Sequence, residues 1–384
     1  MALEIITGLS FINNIMAEDI IIRRYEPGDE EQIVKLLELV FNGWPHFDLH
    51  CSPLDHWKWK FLDNPLRKNN IALGLVGDRI IACDHGFLTR MKVGNDIILV
   101  RQGVDAAVHP GFRGRGIYSN TGKLKDEYDH EYRVGMVYSF TNVKLFKTSR
   151  KKSGRPIFPS PVKCFLRISD IDQYVEQLND SGVLRKIYLK LGLRFMKALN
   201  TIQKFFSGPT KHSDSIQLLD VGHFNEEMDA FWDKIKGDYK LITERSREYM
   251  NWRYLDPRAG NFVVKAALER GELIGYIVLR INNHDLKGPR GYVLDLCTLK
   301  DRLDCASMLI RESSKYFDDN KIGSVEYMIV KGHPYERLFS IFGYVDTRND
   351  NGIYYDLYRD GVKVDDVISF EPGEILFQLG DTDW

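Results

Sequence analysis

The chain has 384 residues, with 43% hydrophobic and 28% charged residues and a formal net charge of −1. The length is enough for two domains, and the composition excludes a disordered chain or one drawn by its overall charge to nucleic acid or a membrane surface. We expect no membrane span, since no apolar run approaches ~20 residues, and the scattered cysteines favour a reducing cytoplasm over a disulfide framework.

Helical and strand-like segments alternate through the first half of the chain. Residues 23–41 show helical spacing of apolar side chains after a turn, and residues 55–62 form a short aromatic-rich element. Turn signals then separate four predicted strands and one helix, with the strands at 71–76, 79–93, 97–108 and 134–140 and the helix at 117–132. This order of elements predicts an α/β fold with a mixed sheet.

Three short echoes of the first half recur in the same order in the second half. The matched pairs, at offsets of 193, 193 and 190 residues, are Trp59–Asp63 with Trp252–Asp256, Arg79–Cys83 with Glu272–Tyr276, and Val104-Asp105 with Leu294-Asp295. Common aliphatic and aromatic residues also match by chance, so each echo alone is weak. Their shared order predicts two copies of one fold.

A segment with one long apolar face, residues 183–206, lies between the two copies. Its apolar residues fall at helical intervals, and its other face carries lysines and arginines without an acid. One interpretation is a connecting helix packed on the domains, and the other is a helix that binds a membrane surface or nucleic acid. We expect the first, which divides the chain into a domain at 1–168, a helical linker at 169–215 and a domain at 216–384.

The stretch from Gly103 to Ser119 carries the most informative pattern in the chain. It predicts a strand, a proline stop, a basic glycine-rich turn and the start of a helix. Gly114 and Gly116 let the backbone approach a bulky anion, and the unpaired amides at the helix start attract its charge. Arg113 and Arg115 add charged donors. The stretch therefore predicts a pyrophosphate site, without the Gly-Lys-Ser/Thr of an ATP loop or the acidic partner of a dinucleotide fold.

This stretch resembles the coenzyme motif of the GNAT superfamily of acyltransferases. The family's loop reads Arg/Gln-x-x-Gly-x-Gly/Ala, and Arg113–Tyr118 matches its first five positions after the characteristic Val108-His-Pro. The resemblance implies two GNAT-like domains, with acetyl-CoA or another acyl-CoA as co-substrate and no metal.

The resemblance also implies which residues hold the coenzyme. The motif strand and a residue after the next strand would contact the pantetheine arm: Ala106, Ala107, Val108 and Asn142. The loop would hold the pyrophosphate with Arg113, Gly114, Arg115, Gly116, Ile117, Tyr118 and Ser119.

The sequence departs from the family pattern in three places. Tyr118 stands where the family has a small residue, and Leu145-Phe146-Lys147 lacks the tyrosine that protonates the departing thiolate. In the second copy, Leu338–Tyr344 matches the family's late signature, but residues 295–309 contain no glycine. The second copy is therefore predicted to be degenerate and to bind no coenzyme.

The implied reaction is direct transfer of the acyl group from the thioester to a primary amine, without a covalent enzyme intermediate. The candidate acids and bases are Asp105, His85, Asp84 and Tyr138. A two-residue turn at Gly94-Asn95 would place Asp105 opposite Asp84, where two carboxylates raise each other's pKa, and a bulge would shift this pairing by one. The alternative is that these polar side chains face solvent or satisfy one another structurally.

The acceptor side is predicted in the loop that walls the acceptor site of GNAT folds, with Trp44, His46, Phe47 and His50 as contacts. The histidine spacing there fits no closed metal site. The acceptor would be an amine of a small molecule or protein, and no nucleic acid is expected. Two other functions remain open: a tRNA-dependent aminoacyl transferase of tandem GNAT-like type, against which the intact loop argues, and a non-catalytic acyl-CoA sensor.

Overall fold

The structure is a computed structural model that describes residues 19–142, 160–177, 186–187, 190–192, 194, 215–284, 288–349, 351–357 and 369–382. The stretch at 145–147 lies outside these ranges. Most of the predicted linker helix at 183–206 does too, although its described residues are helical.

In the first half, helices pack against a run of antiparallel strands that ends in one parallel pair. Ser52 caps the second helix by accepting a hydrogen bond from the Asp55 amide at 3.1 Å, and Pro53 occupies its first turn. The elements are β1 (Ile20–Arg24), α1 (Glu30–Phe41), α2 (Pro53–Phe61), β2 (Asn70–Val76), β3 (Arg79–Val93), β4 (Asp96–Val108), α3 (Ile117–Tyr132) and β5 (Met136–Asn142). The predicted strands and the helix at 117–132 are confirmed. The edge strand β1 is missed because its consecutive isoleucines show no alternation.

The second half repeats the order of elements after two connecting ones, β6 (Val162–Ile168) and α4 (Ile171–Gln177). It continues with β7 (Ile216–Asp220), α5 (Glu226–Ile235), β8 (Leu241–Thr243), α6 (Arg247–Met250) with a π-helical turn (Asn251–Leu255), β9 (Val263–Glu269), β10 (Glu272–Asn282) and β11 (Arg290–Thr298). The chain then forms α7 (Leu303–Asp319), β12 (Ser324–Val330), α8 (Tyr335–Ile341), β13 (Tyr344–Asp346), β14 (Asn351–Leu357) and β15 (Ile375–Leu376).

The described strands join in one sheet, and equivalent strands of the two halves lie at equal distances from its centre. From edge to edge it reads β1-β2-β3-β4-β5-β14-β6-β12-β11-β10-β9-β7, and β8, β13 and β15 lie off this path. The first half contributes β1 to β5 from one edge, and the second half contributes their counterparts in reverse order from the other. The sheet therefore has a local two-fold symmetry centred on β14 and β6.

The two central strands are exchanged between the halves. β14 pairs antiparallel with β5, from Asn351 opposite Asn142 to Leu357 opposite Met136. β6 pairs antiparallel with β12 in the same way. The mixed α/β fold class is confirmed. The boundaries at 168 and 215 stay a prediction about the sequence, while the sheet itself runs across them.

One hydrophobic core extends through both halves, so they pack as a unit. It includes Trp57 and Ile71 from the first half and Tyr276 and Leu294 from the second. None of the described helices combines the length and the apolar character that crossing a membrane requires.

Candidate active site

A β-bulge interrupts the pairing of β3 with β4 beside the predicted coenzyme motif. Val93 lies opposite Asp96, as the turn predicts, and this register holds until His85 lies opposite Val104. The register then shifts by one, with Cys83 opposite Ala107. Asp105 lies in the bulge with φ of 44°, a left-handed conformation that aspartate tolerates better than most side chains. The bulge re-aims this side chain.

Strands β4 and β5 pair only briefly and then diverge. Their parallel pairing runs from Val100 opposite Met136 to Gln102 opposite Tyr138. Beyond that point β5 pairs with β14 on its other side, while β4 continues from Gly103 to Val108 with no ladder partner on the side facing β5 among the described residues. The backbone groups on this side of β4 can therefore hydrogen-bond a ligand that lies between the diverging strands.

The glycine-rich turn leads directly into α3. Gly114 and Gly116 adopt φ of 79° and 73°, and a Cβ at either position would meet nothing within 4 Å, so the backbone is open to an approaching group. Gly116 caps α3 without a side-chain hydrogen bond, which leaves the first amides of the helix unpaired by any cap. An anion at this position meets both these amides and the positive end of the helix dipole.

An open cleft of about 480 Å³ lies over this turn. It is lined by Ala106, Val108, Phe112, Arg113, Gly114, Gly116, Ile117 and Tyr118. The structure thus brings seven of the predicted coenzyme residues of the strand and loop together, including the aromatic Tyr118, which is 63% exposed at the cleft. Ala107 is buried instead, since alternate residues of a strand face opposite sides.

The remaining loop residues lie around this cleft. The Arg113 Nε donates to the Val108 carbonyl at 3.2 Å, which ties the loop back to the strand end. Arg115 rests on the Phe112 ring, with 5.1 Å from its Cζ to the ring centroid. Ser119 is exposed in the first turn of α3.

Two buried ion pairs fasten α3 to the sheet behind the cleft. Lys125 pairs with Asp84, and Arg101 pairs with Asp129 at 2.6 Å. Asp84 is 2% exposed and also accepts a hydrogen bond from the Thr121 hydroxyl. Asp84 therefore faces α3 and pairs with Lys125. The expected arrangement, in which the carboxylates of Asp84 and Asp105 lie next to each other, does not form.

His85 is fully buried, with both ring nitrogens in hydrogen bonds. Its Nε2 accepts from the Trp57 indole at 3.1 Å, so its Nδ1 carries the proton and donates to the Asp105 carbonyl at 3.0 Å. Burial lowers the pKa of His85 to about 4. The imidazole is thus neutral, and it holds the backbone of the bulge rather than facing the cleft.

Of the two candidates from β5, Tyr138 does not line the cleft. Tyr138 is 1% exposed, and its hydroxyl donates to the Asp381 carbonyl at 3.0 Å. Asn142 pairs through its backbone with Asn351, and its side chain lies outside the described part of the structure.

A second pocket of about 340 Å³ lies on the other side of the bulge. It is lined by Phe41, Trp44, Pro45, His46, Phe47, Lys60, Asp105, Asn282 and Tyr292. Three of the four predicted acceptor contacts are therefore brought together with Asp105, whereas His50 is exposed outside the lining. Asp105 lines this pocket, and the next residue, Ala106, lines the cleft. The two spaces therefore lie on either side of the bulge.

Asp105 is the one predicted acid or base in this pocket. Its carboxylate accepts from the Trp44 indole at 2.8 Å and lies 2.7 Å from the Lys60 ammonium. The side chains of Asp105 and Lys60 are only 11% and 7% exposed. Lys60 was not predicted, although its position one residue after Trp59 in the echoed run was a usable signal.

The second half supplies part of this pocket, which sequence reasoning also missed. Asn282 and Tyr292 come from β10 and β11, and the amide of Asn282 donates to the His46 carbonyl at 3.2 Å. Asp48 accepts from the Asn283 amide at 2.6 Å. The loop with the predicted acceptor contacts is thus held by the second half.

In the second half, the strands that correspond to β4 and β5 are β11 and β12, and they also leave a wedge between them where they diverge. The chain itself fills this wedge. β11 and β12 pair only from Gly291 to Val293 before they diverge. Gln378 enters there, and its amide donates to both Asp295 and the Leu296 carbonyl at 3.0 Å, while Leu296 donates back to it. A coenzyme arm cannot occupy the same backbone groups, which supports the prediction of a degenerate copy.

Among the described residues, no cluster of three or more histidine, cysteine or acidic side chains is arranged to hold a metal.

Comparison with known proteins agrees with this geometry. A family model described as an acetyltransferase (GNAT) domain matches residues 21–138, which include β1 to β4, α3 and the start of β5. A search of curated proteins gives no match.

Two solved structures extend the similarity over most of the chain. N-myristoyltransferase from Saccharomyces cerevisiae, with bound myristoyl-CoA and inhibitors, matches 93% of this chain and 86% of its own, with a TM-score of 0.57 and 12% identity. A conserved protein of unknown function from Enterococcus faecalis, described as a probable N-acyltransferase, matches 88% of this chain and 72% of its own, with a TM-score of 0.57 and 9% identity.

At these identities the structural neighbours bear on the fold alone, and they agree with two GNAT-like halves. The family match bears on the half that holds the bulge, the splayed strand and the glycine turn. Residues 21–138 are therefore similar to a GNAT acetyltransferase domain, and most of the chain shares the fold of the two solved structures.

Proposed function

We propose that the protein is an acyl-CoA-dependent N-acyltransferase that transfers an acyl group, with acetyl as the first candidate, directly to a primary amine. The observation that carries this proposal is the bulge of β4, which stands between the cleft over the glycine-rich turn and a pocket lined by the largely buried carboxylate of Asp105. A thioester that lies along β4 from the turn would reach this pocket at Asp105.

The coenzyme would bind by its diphosphate and its pantetheine arm. The amides of the turn and of the first residues of α3 suit the diphosphate, with Arg115 as a nearby charge. The unpaired side of β4 suits the amide groups of pantetheine, because it offers donors and acceptors in strand geometry. Amides of the same strand can polarise the thioester carbonyl as charge develops on its oxygen.

The amine would bind in the aromatic pocket and lose its proton to Asp105. The free amine then attacks the carbonyl carbon, the C–N bond forms, the C–S bond breaks and the thiolate of CoA leaves. Asp105 is preferred over His85, Asp84 and Tyr138 because it lines the pocket, whereas those three are buried with hydrogen-bonded or ion-paired partners and line neither space. Lys60 and Trp44 would fix the direction of the carboxylate.

The test is thiol release from acetyl-CoA and longer acyl-CoAs with a library of primary amines, beside calorimetry of CoA binding. Gly116→Asp places a negative charge against the diphosphate and should abolish CoA binding and turnover. Gly271→Asp is the matched control, since Gly271 also has positive φ, 84°, and open space around it, but lies in the β9–β10 turn.

Each result has a distinct meaning. Turnover that survives Gly116→Asp would contradict the assigned site. CoA binding without thiol release on any amine would favour the sensor, and binding of aminoacyl-tRNA without binding of CoA would favour the tRNA-dependent transferase.

A further inference from the structure

Arg280, a buried arginine of the second half, lies beside the acceptor pocket. Arg280 is 1% exposed, and within the described part of the chain neither of its terminal nitrogens, Nη1 and Nη2, finds an acceptor. Its guanidinium lies against two aromatic rings, with Cζ 3.8 Å from the centroid of Phe47 and 5.0 Å from that of Phe262.

The surroundings are shaped around this guanidinium. A Cβ on Gly260 would lie 2.9 Å from Nη2, so glycine there makes room for the group. Burial and, to a smaller extent, the nearby Arg253 lower the pKa of Arg280 to about 10, while Asp48 acts in the opposite sense. The site therefore holds a cation that burial and a second arginine disfavour.

Such an arrangement is costly for the protein without a ligand. Burial of a charge without hydrogen bonds destabilises the fold by more than stacking on desolvated rings offsets. An apolar side chain of similar volume would stabilise the fold better. An anionic ligand that supplies the missing acceptors gives a physical reason for arginine at this position.

Arg280 lies immediately behind the acceptor pocket. Tyr292 is its direct partner across the β10–β11 pair, and Asn282 follows two residues later on the same face of β10. Both residues line the pocket, and so does Phe47, whose ring covers the guanidinium. Phe47 thus stands between Arg280 and the pocket, so binding of a ligand to Arg280 requires this ring to turn aside.

We propose that Arg280 is the anion-binding residue of the acceptor pocket, and that the acceptor is an amine that also carries a carboxylate. This rests on the proposed N-acyltransferase function. The ammonium of the acceptor would face Asp105, and its carboxylate would face Arg280 in a two-pronged hydrogen bond. A zwitterionic acceptor thus matches one negatively charged side chain, Asp105 of the first half, and one positively charged side chain, Arg280 of the second half.

The test uses acylated products, so that binding is measured without turnover. N-acetyl amino acids with aromatic and aliphatic side chains are each paired with the N-acetyl amine that lacks the carboxylate. Calorimetry on the full chain with CoA present measures both members of each pair. In the wild type we expect the acid to bind at least about tenfold more tightly, since a charged hydrogen bond contributes about 1.5–3 kcal/mol.

Arg280→Met should remove this preference, and Arg280→Lys should keep part of it. Arg247→Met, which removes a positive charge from the same half at the exposed start of α6, should retain it in full. A structural role for Arg280 predicts instead that Arg280→Met unfolds at lower urea concentration; we expect it to be at least as stable as the wild type.

Two results would overturn the inference. One is that the wild type shows no preference for the acid in any pair, and the other is that Arg280→Met retains the preference. If CoA itself does not bind, the proposed function fails first, whereas intact CoA binding without an acid preference removes only this inference.

Discussion

Trp59 and Trp252 stack on each other where the two halves meet, with ring centroids 5.0 Å apart and ring planes at 24°. Each indole Nε1 donates to the backbone carbonyl of the other tryptophan, at 2.9 Å from Trp59 and 3.1 Å from Trp252. The two residues are 193 positions apart, the offset of the internal echo. They are thus equivalent residues of the two copies, in contact across the local two-fold axis.

This reciprocal contact predicts strong energetic coupling between the tryptophans. Trp59→Phe and Trp252→Phe each remove one indole donor and leave a buried carbonyl unpaired, so we expect each to lower the free energy of unfolding by about 1–3 kcal/mol. The double variant should lose less than the two single losses together, with a coupling of about 1 kcal/mol. Urea unfolding in a double-mutant cycle measures this, and strict additivity would contradict a shared contact.

The sequence predicted the repeat because its echoes mark residues with equivalent structural roles. Trp59 and Trp252 match because both lie at the axis. The turn signal at Gly94-Asn95 predicted the register of the β3–β4 hairpin correctly as far as the bulge. The exchange of β6 and β14 could not be predicted, since each strand is compatible in pattern with either half. Strand partners at such long separation are set by packing rather than by local propensity.

The structure brings the residues predicted along β4 and its loop together at one cleft, whereas those predicted around it are more scattered. The loop residues follow from local backbone chemistry, which glycine and proline signal directly. Asp84 and His85 were grouped with Asp105 by adjacency, but neighbouring residues of a strand face opposite sides, and the bulge separates them further. Asn282 and Tyr292 reach the pocket only through the tertiary fold, which no local pattern encodes.

The role of Asp105 can be separated from coenzyme binding by Asp105→Asn. Asparagine tolerates the left-handed backbone and can still accept from Trp44, but it cannot take up the proton of an ammonium. We expect the turnover rate to fall about 100-fold or more, with the dissociation constant for CoA almost unchanged. Asp78→Asn, in the β2–β3 turn, is the control, and equal losses of rate and CoA affinity would count against a base role.

Buried His85 predicts that the fold weakens in mild acid. Burial lowers its pKa to about 4 in the folded state, while the unfolded chain restores the ordinary value near 6.5. The unfolded state therefore binds the extra proton, so the contribution of His85 is complete above pH 6.5 and is lost as the pH falls towards 4, by about 3 kcal/mol in all.

His85→Gln should flatten this part of the stability profile, measured by urea unfolding between pH 7 and pH 4.5. The exposed His223→Gln serves as the control for removal of a histidine. A profile as steep in His85→Gln as in the wild type would mean that His85 is not the neutral buried group seen in the bulge.

The hydrogen bonds of Gln378 predict that this residue stabilises the closed wedge between β11 and β12. Gln378→Leu leaves Asp295 and both backbone groups of Leu296 without their present partner, in a region where burial raises the pKa of Asp295. We expect the free energy of unfolding to fall by about 3 kcal/mol or more, because each unpaired buried group costs about 1–3 kcal/mol. Gln217→Leu makes the same change on the exposed edge strand β7 and should have little effect. If the two variants unfold alike in urea, Gln378 does not hold the wedge closed, and the second half should then be tested for a CoA site of its own.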